Sequence, residues 1–93
     1  MNKKISINKI KQLKKTATPF CAITAYDFSS AKIIDKLDIP LVLVGDSASM
    51  VMMGYDSTIP ISMDEMITFV KSVTNGVNNS LVVADMPFLS YQV

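Results

Sequence analysis

The sequence predicts an α/β fold assembled from parallel βαβ units. Two observations carry that reading. Short apolar runs at 20–25, 41–44 and 81–84 alternate with amphipathic helical stretches, the order expected when each strand is followed by a crossover helix. The middle run, Leu41-Val42-Leu43-Val44, is continuously aliphatic, which is the pattern of a parallel strand buried on both faces. With 93 residues there is room for one domain at most, and three strands are too few to close a barrel, so sheet edges are left to cover.

The elements follow in order. Ile7, Ile10, Leu13 and Ala17 recur at helical spacing with lysines between them, so a helix is expected over 1–17, closed by Thr18-Pro19. Phe20–Ala25 is short and bounded, as a buried strand should be, and Cys21 inside it reads as an inert small hydrophobe. Phe28–Asp38 follows as a helix with Phe28, Ala31, Ile34 and Leu37 on its apolar side, while Ser30, Lys32, Asp35 and Lys36 fall largely elsewhere; Asp27 or Ser29 is suited to cap it. Leu41–Val44 is the second strand. Ser47–Ile61 reads as irregular, with a turn of helix expected at Met50–Met53, and a connection that long is often a lid or binding loop. Ser62-Met63-Asp64-Glu65 is a capping box opening the next helix, whose stripe is Met63, Met66, Ile67, Val70 and Val73. Asn75-Gly76 supplies a left-handed stop, and Leu81–Ala84 is the third strand. The seven methionines read mainly as core filling.

Charge is unevenly spread beneath a net value of +1: six of the nine basic residues lie in 1–15 with no acid, so 16–93 holds three lysines against eight acids, a balance of −5. All nine are lysines, so no guanidinium fork is present to read guanine or phosphate, and the basic start reads as a solvated helix face rather than a nucleic-acid or membrane surface. No stretch approaches the ~20 apolar residues of a membrane span, and lysines interrupt any signal-peptide core. Single Cys21 excludes an intramolecular disulfide framework, and the expected compartment is the cytoplasm. With no histidine, chemistry built on that side chain has no residue to use.

The three predicted strands end in Tyr26-Asp27, Gly45-Asp46 and Ala84-Asp85. Carboxyl ends of parallel strands share one edge, which is where α/β sheets and (β/α) barrels bind ligands. If the second and third strands are neighbours at ~4.8 Å, Asp46 and Asp85 meet over one site. Paired carboxylates without histidine or thiolate suit a hard, oxygen-seeking cation, with Mg²⁺ the default. Each residue also has a plainer role: Asp27 as a helix cap, Asp46 and Asp85 as strand-end caps, Ser47 as a turn former.

The strings Ile23-Thr24-Ala25-Tyr26-Asp27, Val44-Gly45-Asp46-Ser47, Gly54-Tyr55-Asp56-Ser57-Thr58, Asp64-Glu65-Met66 and Val82-Val83-Ala84-Asp85-Met86-Pro87-Phe88 occur in one order at one spacing. Together they closely resemble the N-terminal part of the ketopantoate hydroxymethyltransferase family, from about Thr24 to Gln92. The resemblance implies a (β/α)₈ barrel, which needs ~250 residues, so 1–93 is one partial domain: a lysine-rich helix at 1–17 and barrel strands one to three at 18–93. It implies that Asp46 and Asp85 bind Mg²⁺ and that Asp46, Ser47 and Asp85 surround the 2-oxo acid 3-methyl-2-oxobutanoate. The co-substrate would be 5,10-methylenetetrahydrofolate and the product 2-dehydropantoate, on the pantothenate pathway. By the same resemblance, the metal would act as a Lewis acid while a base removed the C3 proton of the oxo acid. The base, a substrate-binding lysine and a third metal carboxylate fall beyond Val93, so no catalytic residue is assigned here. A homo-oligomer is expected at full length. Two departures stand out: the family's usual D-S-L-G-M is Asp46-Ser47-Ala48-Ser49-Met50, and its P-F-G-S-Y is Pro87-Phe88-Leu89-Ser90-Tyr91, each losing a glycine's backbone freedom near the ligand. The alternatives are a non-catalytic remnant or binding fragment, and a barrel enzyme related to phosphoenolpyruvate mutase or isocitrate lyase; the Gly54–Thr58 string argues against the latter.

Overall fold

Three parallel strands in the order β1-β2-β3 form the sheet, and two helices lie on one of its faces. The structure is a computed structural model describing residues 4–86. The elements are α1 (Ile7–Lys15), β1 (Ala22–Thr24), α2 (Phe28–Lys36), β2 (Leu41–Val44), α3 (Ala48–Val51), α4 (Met63–Gly76) and β3 (Leu81–Ala84). Among the described residues no helix is long and apolar enough to cross a membrane. Register is set by Ala22 opposite Leu41, and Leu41 opposite Leu81.

The core lies between β2 and the helix pair α2–α4. Val42 and Val44 are fully buried there against Ala31 and Ile34 of α2 and Met66 and Val73 of α4. Leu41 and Leu43, on the opposite face, are only half-buried. The expectation of two covered faces is therefore corrected: among the described residues helices cover only one. β1 is a three-residue edge strand exposed throughout, not the buried 20–25 strand, and Cys21 lies outside it, exposed rather than sequestered. An edge strand lacks neighbours on one side, so apolar character alone does not bury it.

Capping follows local chemistry closely. Asp27 Oδ1 accepts from the Ser30 amide at 2.7 Å and starts α2. At α4 the Ser62 hydroxyl accepts from the Glu65 amide at 3.1 Å and Glu65 Oε1 accepts from the Ser62 amide at 2.9 Å, completing the predicted box. Helix α1 ends at Lys15 in a Schellman arrangement, with the Thr18 amide donating to the Leu13 carbonyl at 3.0 Å and the Ala17 amide to Lys14 at 3.1 Å. Ala17 pays for this with φ 53°, the left-handed region that favours glycine. No residue of α1 is buried, and its lysines face water.

Tertiary packing overrides the sequence pattern at several points. Phe28 and Leu37, placed on the apolar side of α2, are exposed, whereas Asp35 is 6% exposed. Its carboxylate accepts the backbone amides of Asn78, Asn79 and Ser80 at 2.9–3.0 Å and the Asn79 side-chain amide at 3.3 Å, tying α2 to the loop before β3. Burial pushes the Asp35 carboxyl upward, but the hydrogen bonds from Ser80, Asn78 and Asn79 outweigh it and hold it below its ordinary value of 3.8. Gly76 is not a left-handed stop. It is the last residue of α4 and sits against α2, where a Cβ would lie 2.7 Å from the Phe28 carbonyl oxygen. Of the described methionines only Met66 is buried; Met50, Met52, Met53, Met63 and Met86 are exposed, so core filling holds for one of them.

Candidate functional site

At the carboxyl edge of the sheet, β2 leads into Gly45-Asp46-Ser47 and β3 into Asp85. The Asp85 amide donates to the Val44 carbonyl at 3.0 Å, carrying the β2–β3 pairing to the aspartate itself. Asp85 Oδ2 then accepts from the Asp46 backbone amide at 3.4 Å, so two residues 39 apart in sequence meet at the strand ends, as neighbouring strands require. Between them lies Gly45. A Cβ there would come 3.3 Å from Ser47 Oγ and 3.4 Å from Asp85 Oδ2, so the absence of a side chain keeps the space bounded by Asp46, Ser47 and Asp85 open.

The structure brings Asp46, Ser47 and Asp85 together and separates Asp27 from them by role, since Asp27 is committed to the α2 cap. Ser47 precedes α3, but its hydroxyl makes no cap bond; it is hydrogen-bonded instead to the Tyr26 phenol at the end of β1. The turn is closed by backbone alone, through Ala48 N–H to Gly45 O at 3.1 Å and Ser49 N–H to Asp46 O at 3.0 Å. Tyr26 is a site residue the sequence reading did not assign. The signal was present in its position directly before the strand-end aspartate, but its partner is 21 residues away.

The departures from the family's strings are placed only in part. Ser49 is fully buried, and its hydroxyl donates to the Ser57 carbonyl at 2.6 Å, binding α3 to the following loop where a glycine would leave that carbonyl without this donor. Ala48 is also fully buried. Pro87–Tyr91 lies outside the described residues.

What meets Asp85 Oδ2 is the Asp46 backbone amide, with Ser47 Oγ also beside Gly45, and the oxygen chemistry of two aspartates on adjacent strand ends fits a hard cation such as Mg²⁺. Among the described residues no group of three or more His, Cys, Asp or Glu side chains forms a metal cage, so a cation held by this pair would need water and substrate oxygens to complete its shell. Glu65, the chain's one glutamate, has both carboxylate oxygens engaged: Oε1 by the Ser62 amide, and Oε2 by the Tyr55 hydroxyl at 3.2 Å. The Ser62 amide chiefly lowers its pKa; desolvation opposes this, and the Ser62 and Tyr55 hydroxyls add to the lowering, which makes it a poorer base.

A parallel α/β sheet with acidic residues at its carboxyl edge has the layout of those α/β proteins that bind ligands at their strand ends. Comparison with known proteins makes this specific. Residues 4–93 match the family model described as ketopantoate hydroxymethyltransferase, and the chain belongs to that family. It is similar to proteins named 3-methyl-2-oxobutanoate hydroxymethyltransferase: 47% identical over 93 residues to that of Thermoanaerobacter sp. (strain X514), covering 100% of this chain and 34% of the relative. Against that of Heliobacterium modesticaldum (strain ATCC 51547 / Ice1) the identity is 50%, with the same coverage. Against that of Nitrosopumilus maritimus (strain SCM1) it is 48% over 87 residues, 94% of this chain and 31% of the relative. The chain thus spans about a third of the length of the curated relatives it matches.

Proposed function

We propose that this chain supplies the first three strands of a (β/α)₈ barrel enzyme that transfers a hydroxymethyl group from 5,10-methylenetetrahydrofolate to 3-methyl-2-oxobutanoate, giving 2-dehydropantoate. The observation that carries the reading is the meeting of Asp46 and Asp85 beside Ser47 at the carboxyl ends of β2 and β3, in a chain whose relatives bear that name over all of its length. The half-covered Leu41 and Leu43 face is what a barrel interior would present to its remaining strands. The family match favours this reading over a phosphoenolpyruvate mutase or isocitrate lyase relative.

In this role Asp46 and Asp85 hold Mg²⁺, whose contribution is Lewis-acid polarisation of the 2-oxo acid. Ser47 orients the substrate by hydrogen bonding to its oxygens. Gly45 keeps the pocket floor free of a side chain. The general base comes from outside these residues, because Glu65 is held by Ser62 and Tyr55. The complete enzyme is proposed to be a cytoplasmic homo-oligomer.

The test is calorimetric Mg²⁺ titration of the complete barrel enzyme and of its Asp46→Asn and Asp85→Asn variants, alongside turnover of 3-methyl-2-oxobutanoate. Each substitution is expected to weaken Mg²⁺ binding about tenfold or more, equivalent to ~1.4 kcal/mol. Unchanged affinity in both variants would remove the aspartates from the metal site.

A further inference from the structure

We infer that Tyr26 is a positioning residue that sets the hydrogen-bond polarity of Ser47, so that the serine presents its proton to an anionic oxygen of the substrate. The inference rests on the proposed reading of Ser47 as a substrate-binding residue. Four observations lead to it. The Ser47 hydroxyl sits at the start of a helix yet makes no cap bond, so local structure does not claim it. Its partner is the Tyr26 phenol, contributed by the end of a different strand. Tyr26 is held on both sides in sequence, by the Ala25 amide donating to the Leu43 carbonyl at 3.1 Å and by Asp27 capping α2 at 2.7 Å. Its ring is half-buried and packs against the core.

The chemistry follows from the inventory of the two hydroxyls. Each has one proton and can also accept. A phenol, with a pKa of ~10, is more acidic than an aliphatic alcohol and is the better donor of the pair. With Tyr26 donating to Ser47 Oγ, the serine's own proton is free. A carboxylate is acceptor-only, so it is bound by that free proton and would be repelled by a serine whose proton was spent on Tyr26. The hydrogen bond to the serine oxygen also makes its O–H a stronger donor, since chained hydrogen bonds polarise one another. Tyr26 thereby acts on the substrate through Ser47.

Tyr26→Phe deletes the phenol oxygen and keeps the ring that packs against the core. The experiment measures KM for 3-methyl-2-oxobutanoate and kcat in the complete barrel enzyme to which this chain contributes, carrying Tyr26→Phe, Ser47→Ala, or both. The expected result is a rise in KM of about fivefold for Tyr26→Phe, with a much smaller change in kcat. The double variant should bind no worse than Ser47→Ala alone, because without the serine the phenol has nothing to orient. If the complete wild-type enzyme turns over the oxo acid but Tyr26→Phe leaves KM unchanged, or its effect multiplies that of Ser47→Ala, the inference about Tyr26 is overturned while the functional reading stands. A complete wild-type barrel enzyme with no turnover of this oxo acid would overturn the functional reading, and the inference with it.

Discussion

Replacing Gly76 by alanine tests how closely α2 and α4 are packed. The added Cβ would lie 2.7 Å from the Phe28 carbonyl oxygen, 3.1 Å from Ala31 Cβ and 3.1 Å from the Lys32 nitrogen. Two of these three are backbone atoms, which cannot rotate away. Ordinary contact begins near 3.4 Å, so the helices must part by about 0.7 Å at that point. Overpacking of this kind costs about 1–3 kcal/mol. Alanine's better helix propensity returns up to ~1 kcal/mol, and less at a terminal helical position. The net expectation is a loss of about 1–2 kcal/mol, or a fall of about 1–2 M in the urea midpoint for a small domain with an m value near 1 kcal/mol/M. Because Ala31 and Val73 are fully buried at the same helix pair, amide exchange should rise in α2 and α4 together. Gly54→Ala is the contrasting variant. Nothing lies within 4 Å of its Cβ position, and its cost comes only from φ 74°, about 1–2 kcal/mol without faster exchange at the α2–α4 contact. A Gly76→Ala midpoint equal to or above wild type would refute the close-approach argument.

Other expectations follow from single side chains. Because the folded-state pKa of Asp35 lies below 3.8, its stabilisation is full above that value and is lost as pH falls through the lower folded value; urea midpoints should drop with acid in the wild type and show a smaller drop in Asp35→Asn. Asp35→Asn should also be less stable near neutrality, since the two carboxylate oxygens receive amides from both sides and an NH₂ in place of either faces a donor. Ala17→Gly should stabilise by about 1 kcal/mol in thermal melts, because φ 53° at the Schellman position strains alanine and not glycine, and a lower midpoint would contradict that account.

Much of the architecture was legible because it rests on interactions within a few residues. The Asp27 cap and the Ser62–Glu65 box are contacts across three positions, and their chemistry is written in the residue types. Leu41–Val44 announces a strand through aliphatic continuity, and a parallel order by itself places Asp46 and Asp85 at one edge. What remained unreadable depends on partners far along the chain. Asp35 looks like a surface residue until the loop 45 residues later folds its amides onto it. Gly76 looks like a helix stop until α2 lies against it. Tyr26 and Ser47 become a pair only when β1 and β2 align. Sequence determined the helix starts, the strand runs and the acidic edge, since local hydrogen bonding and side-chain periodicity act before the chain closes on itself. Tertiary structure decided which apolar residues are covered, where a glycine is needed for space, and which hydroxyl addresses the site, because burial and long-range hydrogen bonds exist only once distant segments share one volume.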